Sequence, residues 1–180
     1  MLRLNLENGE TIDSEVVLAA LGRPPAIEGL NLEAAGIETE RGAVKVDDYQ
    51  NTSAKGVYAI GDVINKINLT PVAIRAGRIL AERLFNEQDN CMQYENVATV
   101  VFSHPPIGTV GLTEEAAIEK FGEDKIKVYK STFVNMFYST CPDQDQKHKT
   151  MFKLVCADTD GKKEKVVGLH AIGRNIDEMM

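Results

Sequence analysis

Residues 57–62 read Val-Tyr-Ala-Ile-Gly-Asp, and Leu69-Thr70-Pro71 follows within a few positions. The apolar run Val57–Ile60 is long enough for a buried strand. Gly61-Asp62 stops it and leaves a carboxylate just past its end. Thr70 suits a helix cap, and Pro71 suits a first helical turn, where no amide hydrogen bond is lost. The order is therefore strand, acidic turn, loop, helix start. Taken alone, Gly61-Asp62 reads as an ordinary turn; the longer stretch is the specific feature. An Asp at that place can accept hydrogen bonds from sugar-like hydroxyls. The open amides of the helix start, at the positive end of the helix dipole, can stabilise negative charge on a ligand.

The helix predicted from Pro71 to about Asn86 carries Val72, Ala76, Ile79, Leu80 and Leu84 on one broad face. Arg75, Arg78, Glu82 and Arg83 lie mostly off it. Ahead of this unit, Leu2–Leu6 alternates, Asn8-Gly9 is a hairpin turn and Thr11-Ile12 starts a return strand. Val16–Leu21 is an apolar run expected to form a buried strand, ending at Gly22-Arg23-Pro24-Pro25. Residues 26–56 are loop-rich, with a short strand expected over Ala43–Asp47. Residues 86–96 form a charged connector and a candidate boundary. Beyond it, Thr99–Phe102 and Ile107–Leu112 read as strands, and Thr113 caps a helix with Glu114 and Glu115 in its first turn. That helix is expected to end at Gly122. Lys125–Phe133 alternates, and Met151–Ala157 with Lys165–Ile172 reads as a hairpin around the polar turn Asp158–Glu164. Antiparallel strands around one helix make an α+β unit.

Composition excludes some function classes. The net charge of −7 argues against nucleic acid and against an anionic membrane surface as partner. No apolar run approaches the roughly 20 residues of a membrane span. Three cysteines, Cys91, Cys141 and Cys156, point to a reducing compartment. Their spacing makes neither a disulfide framework nor a metal site. His104, His148 and His170 have no Ser, Cys or Asp partner at a triad spacing, so acyl transfer has no support.

Tyr58-Ala-Ile-Gly-Asp-Val63 followed by Leu69-Thr-Pro-Val-Ala-Ile74 resembles the second flavin-binding motif of the FAD-dependent pyridine nucleotide-disulfide oxidoreductases. Val100-Val-Phe-Ser-His-Pro-Pro-Ile-Gly-Thr-Val-Gly-Leu-Thr113 is similar to the opening of the dimer-interface domain in the branch of that family that reduces glutathione disulfide. Lys149–Ala157, Val166–His170 and Asp177–Met179 continue the likeness, whereas Tyr138–His148 fits it least. The resemblance implies a mixed architecture: residues 1–25 end an NAD(P)H-binding domain, 26–95 form the second segment of a Rossmann-like α/β FAD domain, and 96–180 form an incomplete α+β dimerisation domain.

The resemblance also implies roles. Asp62, with Gly61, Leu69 and Thr70, would hold FAD, and Arg23 would lie near the nicotinamide nucleotide. Arg78, in Ala76-Gly77-Arg78, matches the Arg that binds a glutathione disulfide carboxylate; trypanothione reductases lack it. Met136 would be a further substrate contact. Electrons would pass from NADPH through FAD and a redox disulfide to glutathione disulfide in a homodimer, cytoplasmic or mitochondrial. The chain carries no Gly-x-Gly-x-x-Gly, no closely spaced redox cysteine pair and no acid–base His motif. It is expected to be an internal fragment of a longer enzyme, with no catalytic residue of its own and no activity alone. The alternatives are a sister flavin reductase for thioredoxin, trypanothione or dihydrolipoamide, or a non-catalytic binding module on the same fold. Arg78 and the Ser103–Pro106 turn speak against a sister reductase.

Overall fold

The computed structural model describes residues 1–159, 161 and 163–180. The chain divides into two compact units, Met1–Met92 and Gln93–Met180.

In the first unit, β1 (Leu2–Asn5) pairs antiparallel with β2 (Thr11–Ser14) through the turn at Asn8-Gly9, as the sequence predicts. The hairpin is exposed, and its rim is tied by a two-toothed ion pair from Arg3 to Asp13 at 2.7 and 2.8 Å. A second, minimal hairpin joins β3 (Thr39–Glu40) to β4 (Ala43–Val44), shorter than the strand expected over Ala43–Asp47. The long helix α1 spans Thr70–Phe85. Ala43, Val44, Ile64, Val72, Ala76 and Met92 form the core, so α1 buries the first half of its predicted face. Leu84, at its far end, is exposed.

Two expected buried strands do not form. Val16–Leu21 has no regular structure, and Leu18 and Leu21 are 88% and 96% exposed. Within Val57–Ile60 only Tyr58 pairs, in an isolated bridge to Asn51. An apolar run becomes a strand only when neighbouring backbones take up its amides and carbonyls along its length. Among the described residues no strand pairs with Val16–Leu21, and Val57–Ala59 meets only the short Gln50–Thr52 stretch, where the Thr52 amide donates to the Val57 carbonyl and the Ala59 amide to the Gln50 carbonyl. The predicted cap also moves. Leu69, not Thr70, holds the N-cap position and offers no side-chain cap; Thr70 is the first helical residue, with Pro71 in the first turn.

The second unit is one antiparallel sheet of order β5-β6-β9-β8-β7, built from Thr99–Val101, Ile107–Gly111, Glu164–Ile172, Lys149–Asp158 and Ile126–Val134. Of the turn predicted between β8 and β9, Asp160 and Lys162 lie outside the described residues. α2 (Glu114–Phe121) begins as expected, with the Thr113 hydroxyl accepting from the Ala116 amide at 3.2 Å, and Gly122 ends it. The Glu115 carboxyl is held below its usual range by its own amide and then by the Thr113 hydroxyl. Lys153 pairs with Glu114 at 2.7 Å, which fixes α2 on the Lys153 face of the sheet. Phe152 and Ala171 alternate to the other face, where the short α3 (Ile176–Met179) seats Ile176 against Gly108. Val155, Ala157, Ala171 and Ala117 are at the centre of the packing. Among the described residues every paired strand is antiparallel, and the second half is the α+β unit the pattern predicts.

Candidate functional site

The acidic turn and the start of α1 pack as one piece. Gly61–Ile64 is a 3-10 turn that follows the extended Ile60. Gly61 has φ of 72°, and a Cβ there would come within 3.2 Å of the Ala73 Cβ. A Cβ on Gly77 would come as close to Ile60. Two glycines thus let the turn lie against the helix, and Asp62 emerges exposed at the crossing point. Among the described residues no hydrogen bond or ion pair engages the Asp62 carboxylate. Close by in sequence, Asn68 donates to Asn65 at 2.9 Å and steadies the loop into the helix.

The first helical hydrogen bond of α1 runs from the Ala73 amide to the Leu69 carbonyl at 3.1 Å. The amides of Thr70 and Val72 precede it, and no side chain caps them. A free carboxylate that accepts from hydroxyls therefore shares this packed turn and helix start with open amides that favour an anion. Both suit a ligand that joins a polyhydroxy chain to a group able to carry negative charge.

One face of the first half of α1 forms a cleft lined by Thr70, Pro71, Ile74, Arg75, Arg78 and Ile79. Arg78 is exposed there and has no acceptor among the described residues. Glu82 lies a turn beyond it, but its carboxylate accepts from the Asn86 amide at 2.6 Å. Sequence spacing alone leaves Arg75 on the solvated side; the structure puts it in the Arg78 cleft. The signal was present in the i, i+3 spacing of the two arginines.

Arg83, which the sequence leaves off the apolar face of α1, is structural. It donates to the Tyr49 carbonyl at 2.7 Å and to Asn51 Oδ1 at 3.0 Å, and stands over the rings of Tyr49 and Tyr58. Asn51 in turn donates to Asp47 from its side chain and its amide at 2.7 and 2.9 Å. Partial burial would push the Asp47 carboxyl up, but these bonds and one from the Tyr49 amide hold it below its usual range.

The remaining candidates are dispersed. Arg23 is exposed in the unpaired Val16–Pro25 segment, and no hydrogen bond or ion pair joins it to Asp62 among the described residues. Met136 belongs to the second unit, in the 3-10 turn Met136–Tyr138, and is 87% exposed. His170 is structural: its ring nitrogens meet the Thr109 hydroxyl at 2.5 Å and the Leu112 carbonyl at 3.0 Å. His148 packs edge-on to the Tyr138 ring. Cys156 is buried in β8, and burial pushes its thiol up, away from the thiolate a nucleophile needs.

Two family models match the sequence. One, described as pyridine nucleotide-disulphide oxidoreductase, covers residues 1–77; the other, the dimerisation domain of the same family, covers residues 97–180. The chain belongs to the pyridine nucleotide-disulphide oxidoreductases. It is 47% identical over 174 residues to the glutathione reductase of Schizosaccharomyces pombe, an alignment that takes in 96% of this chain and 37% of that protein. Among solved structures of the family's fold it is similar to the HOCl-induced flavoprotein disulfide reductase RclA of Escherichia coli, at 27% identity and a TM-score of 0.78. It is also similar to LpdA of Mycobacterium tuberculosis, at 25% identity and a TM-score of 0.76. Each alignment covers 98% of this chain, but 39% and 37% of the other. The chain thus spans well under half the length of each of these three proteins. Among the described residues no helix is long and apolar enough to cross a membrane.

Proposed function

We propose that residues 1–180 are the flavin-side and interface segment of an NADPH-dependent glutathione-disulfide reductase. The observation that carries this reading is the 47% identity to a glutathione reductase, continuous over 96% of the chain. The unpaired Arg78 in its cleft supports it, because a guanidinium can take a substrate carboxylate through two parallel hydrogen bonds. A sister reductase, as the E. coli flavoprotein disulfide reductase exemplifies, is the second reading.

In this reading residues 1–25 end a nicotinamide-nucleotide domain, 26–95 complete a FAD domain and 96–180 belong to a dimerisation domain. Asp62 accepts from the ribityl hydroxyls of FAD, and Gly61 keeps the turn close enough to α1 for that. The open amides at Leu69–Thr70 face the negative charge of the reduced isoalloxazine. FAD, when bound, supplies the two-electron transfer between NADPH and a disulfide. Arg23 approaches the nicotinamide nucleotide, and Arg78 and Met136 contact glutathione disulfide. None of these residues makes or breaks a bond; they bind and orient. The enzyme acts as a homodimer in a reducing compartment, the cytoplasm or the mitochondrion.

A chimaera tests this directly. Residues 1–180 replace the matching segment of the S. pombe glutathione reductase, and NADPH-dependent reduction of glutathione disulfide is measured beside that of other disulfides. Retained glutathione disulfide activity is the expected result. A chimaera that folds, holds FAD and reduces another disulfide but not this one would favour the sister reading. Asp62→Ala in the same background should weaken flavin retention before it alters substrate affinity.

A further inference from the structure

We propose that Arg75 is a second carboxylate-pairing residue of the disulfide-substrate site, set beside Arg78 so that the cleft prefers a disulfide carrying several carboxylates. The inference rests on the reading that this cleft takes glutathione disulfide. It adds a specificity-determining residue to that reading.

Arg75 and Arg78 line one cleft on α1. Three residues apart on a helix, their side chains start roughly 5–6 Å from each other. Like charges at that spacing destabilise a helix unless something offsets them. Among the described residues no hydrogen bond or ion pair takes up either guanidinium, and the nearest offset is Glu82, four residues beyond Arg78. No acidic residue lines the cleft, and the one acid on α1, Glu82, is bonded to Asn86. The rest of the wall is Thr70, Pro71, Ile74 and Ile79, with Ile74 half exposed. Both guanidiniums are exposed, so an anion can reach them from solvent, while the apolar wall offers contact to the rest of a ligand. Arg83, on the same helix, shows the alternative: an arginine serving the fold is tied to a carbonyl, an amide oxygen and two rings. Arg75 and Arg78 have no such engagement among the described residues.

Glutathione disulfide has carboxylates at both its γ-glutamyl and glycyl ends. One guanidinium can fix one of them; two can hold separate carboxylates of the same arm and fix its direction along the cleft. A disulfide with no carboxylate gains nothing from the pair.

The test is a titration of the 15N-labelled 180-residue chain with glutathione disulfide, read from amide shifts on α1, with cystamine as the carboxylate-free disulfide. Wild type is compared with Arg75→Ala, Arg75→Lys and Arg78→Ala. Alanine is a better helix former than arginine, so the helix persists in the variants, which far-UV circular dichroism verifies. Arg75→Ala should weaken glutathione disulfide binding roughly three- to tenfold, less than a fully buried charged contact would lose. Arg75→Lys should recover most of the loss, and the affinity of Arg75→Ala should fall less steeply with added salt. Cystamine should bind all variants alike. If Arg78→Ala weakens glutathione disulfide binding and Arg75→Ala does not, the proposal is overturned while the assignment of the cleft stands. An equal loss for cystamine in Arg75→Ala would make Arg75 a packing residue and also overturn it. If neither variant changes binding, or no shift develops in wild type, the assignment of the cleft falls and the proposal with it.

Discussion

The two ends of α1 use the same kind of residue in opposite ways. At its C-terminal end Arg83 is engaged through one guanidinium nitrogen with Tyr49 and Asn51, stacks over Tyr58, and reaches Asp47 through Asn51, although its buried Nε has no partner among the described residues. Toward the N-terminal end Asp62, the first-turn amides, Arg75 and Arg78 are left without partners among the described residues. Buried polar groups in a folded chain nearly always have a partner, whereas exposed ones such as Asp62, Arg75 and Arg78 are left to water or to a ligand. The engaged end therefore reads as structure, and the exposed end is accessible to the ligand proposed above.

Substitutions at each end can break that contrast. The largest stability effect is expected at Arg83→Ala. It removes two charge-assisted hydrogen bonds and leaves the Tyr49 carbonyl and Asn51 to find water, which should cost about 1.5–3 kcal/mol in chemical denaturation of the first unit. Substrate affinity should be unchanged; a loss of affinity without a loss of stability would reverse the roles of the two ends. Gly61→Ala comes next. A side chain at φ of 72°, pressed toward Ala73, should cost about 1–2 kcal/mol and shift Asp62 away from the helix. An unchanged thermal midpoint would mean that the turn does not need its glycine.

The smallest effect concerns Asp47. Its folded carboxyl titrates below the unfolded one, so its contribution is present above the unfolded pKa of about 4 and is lost as pH falls through the folded value. The first unit should lose stability on acidification below about pH 4, and Asp47→Asn should flatten that decline. A decline as steep in Asp47→Asn would place its origin elsewhere.

The second unit was legible because its signals are local. Thr113 with Glu114 and Glu115 is a helix start wherever it stands, and the alternating runs over 126–134, 149–158 and 164–172 meet one another within the chain. Val16–Leu21 and Val57–Ile60 are apolar runs too, but the first has no paired strand among the described residues and the second meets only Gln50–Thr52 in a single bridge, and composition does not report on neighbours. The Asp62 turn and the helix start could be read because Gly, Asp and Pro act on their own backbone. The Arg83 clasp could not, since Tyr49 and Asn51 lie more than thirty residues away and nothing in their spacing announces it. Arg75 was missed for a milder reason: a helical wheel centred on the buried face says which residues face away from the core, not which of them share a cleft.

The most direct measurement is a paired kinetic comparison of Arg78→Ala and Arg83→Ala in the S. pombe chimaera. Losing one charge-assisted carboxylate contact typically costs about 1.5–3 kcal/mol, or roughly ten- to a hundred-fold in affinity. Arg78→Ala should raise KM for glutathione disulfide by that factor while NADPH still reduces the flavin at the parent rate and the thermal midpoint holds. Arg83→Ala should lower the midpoint and leave KM alone. An Arg78→Ala enzyme with unaltered KM would contradict the account, because the open end of α1 would then have no substrate to answer it.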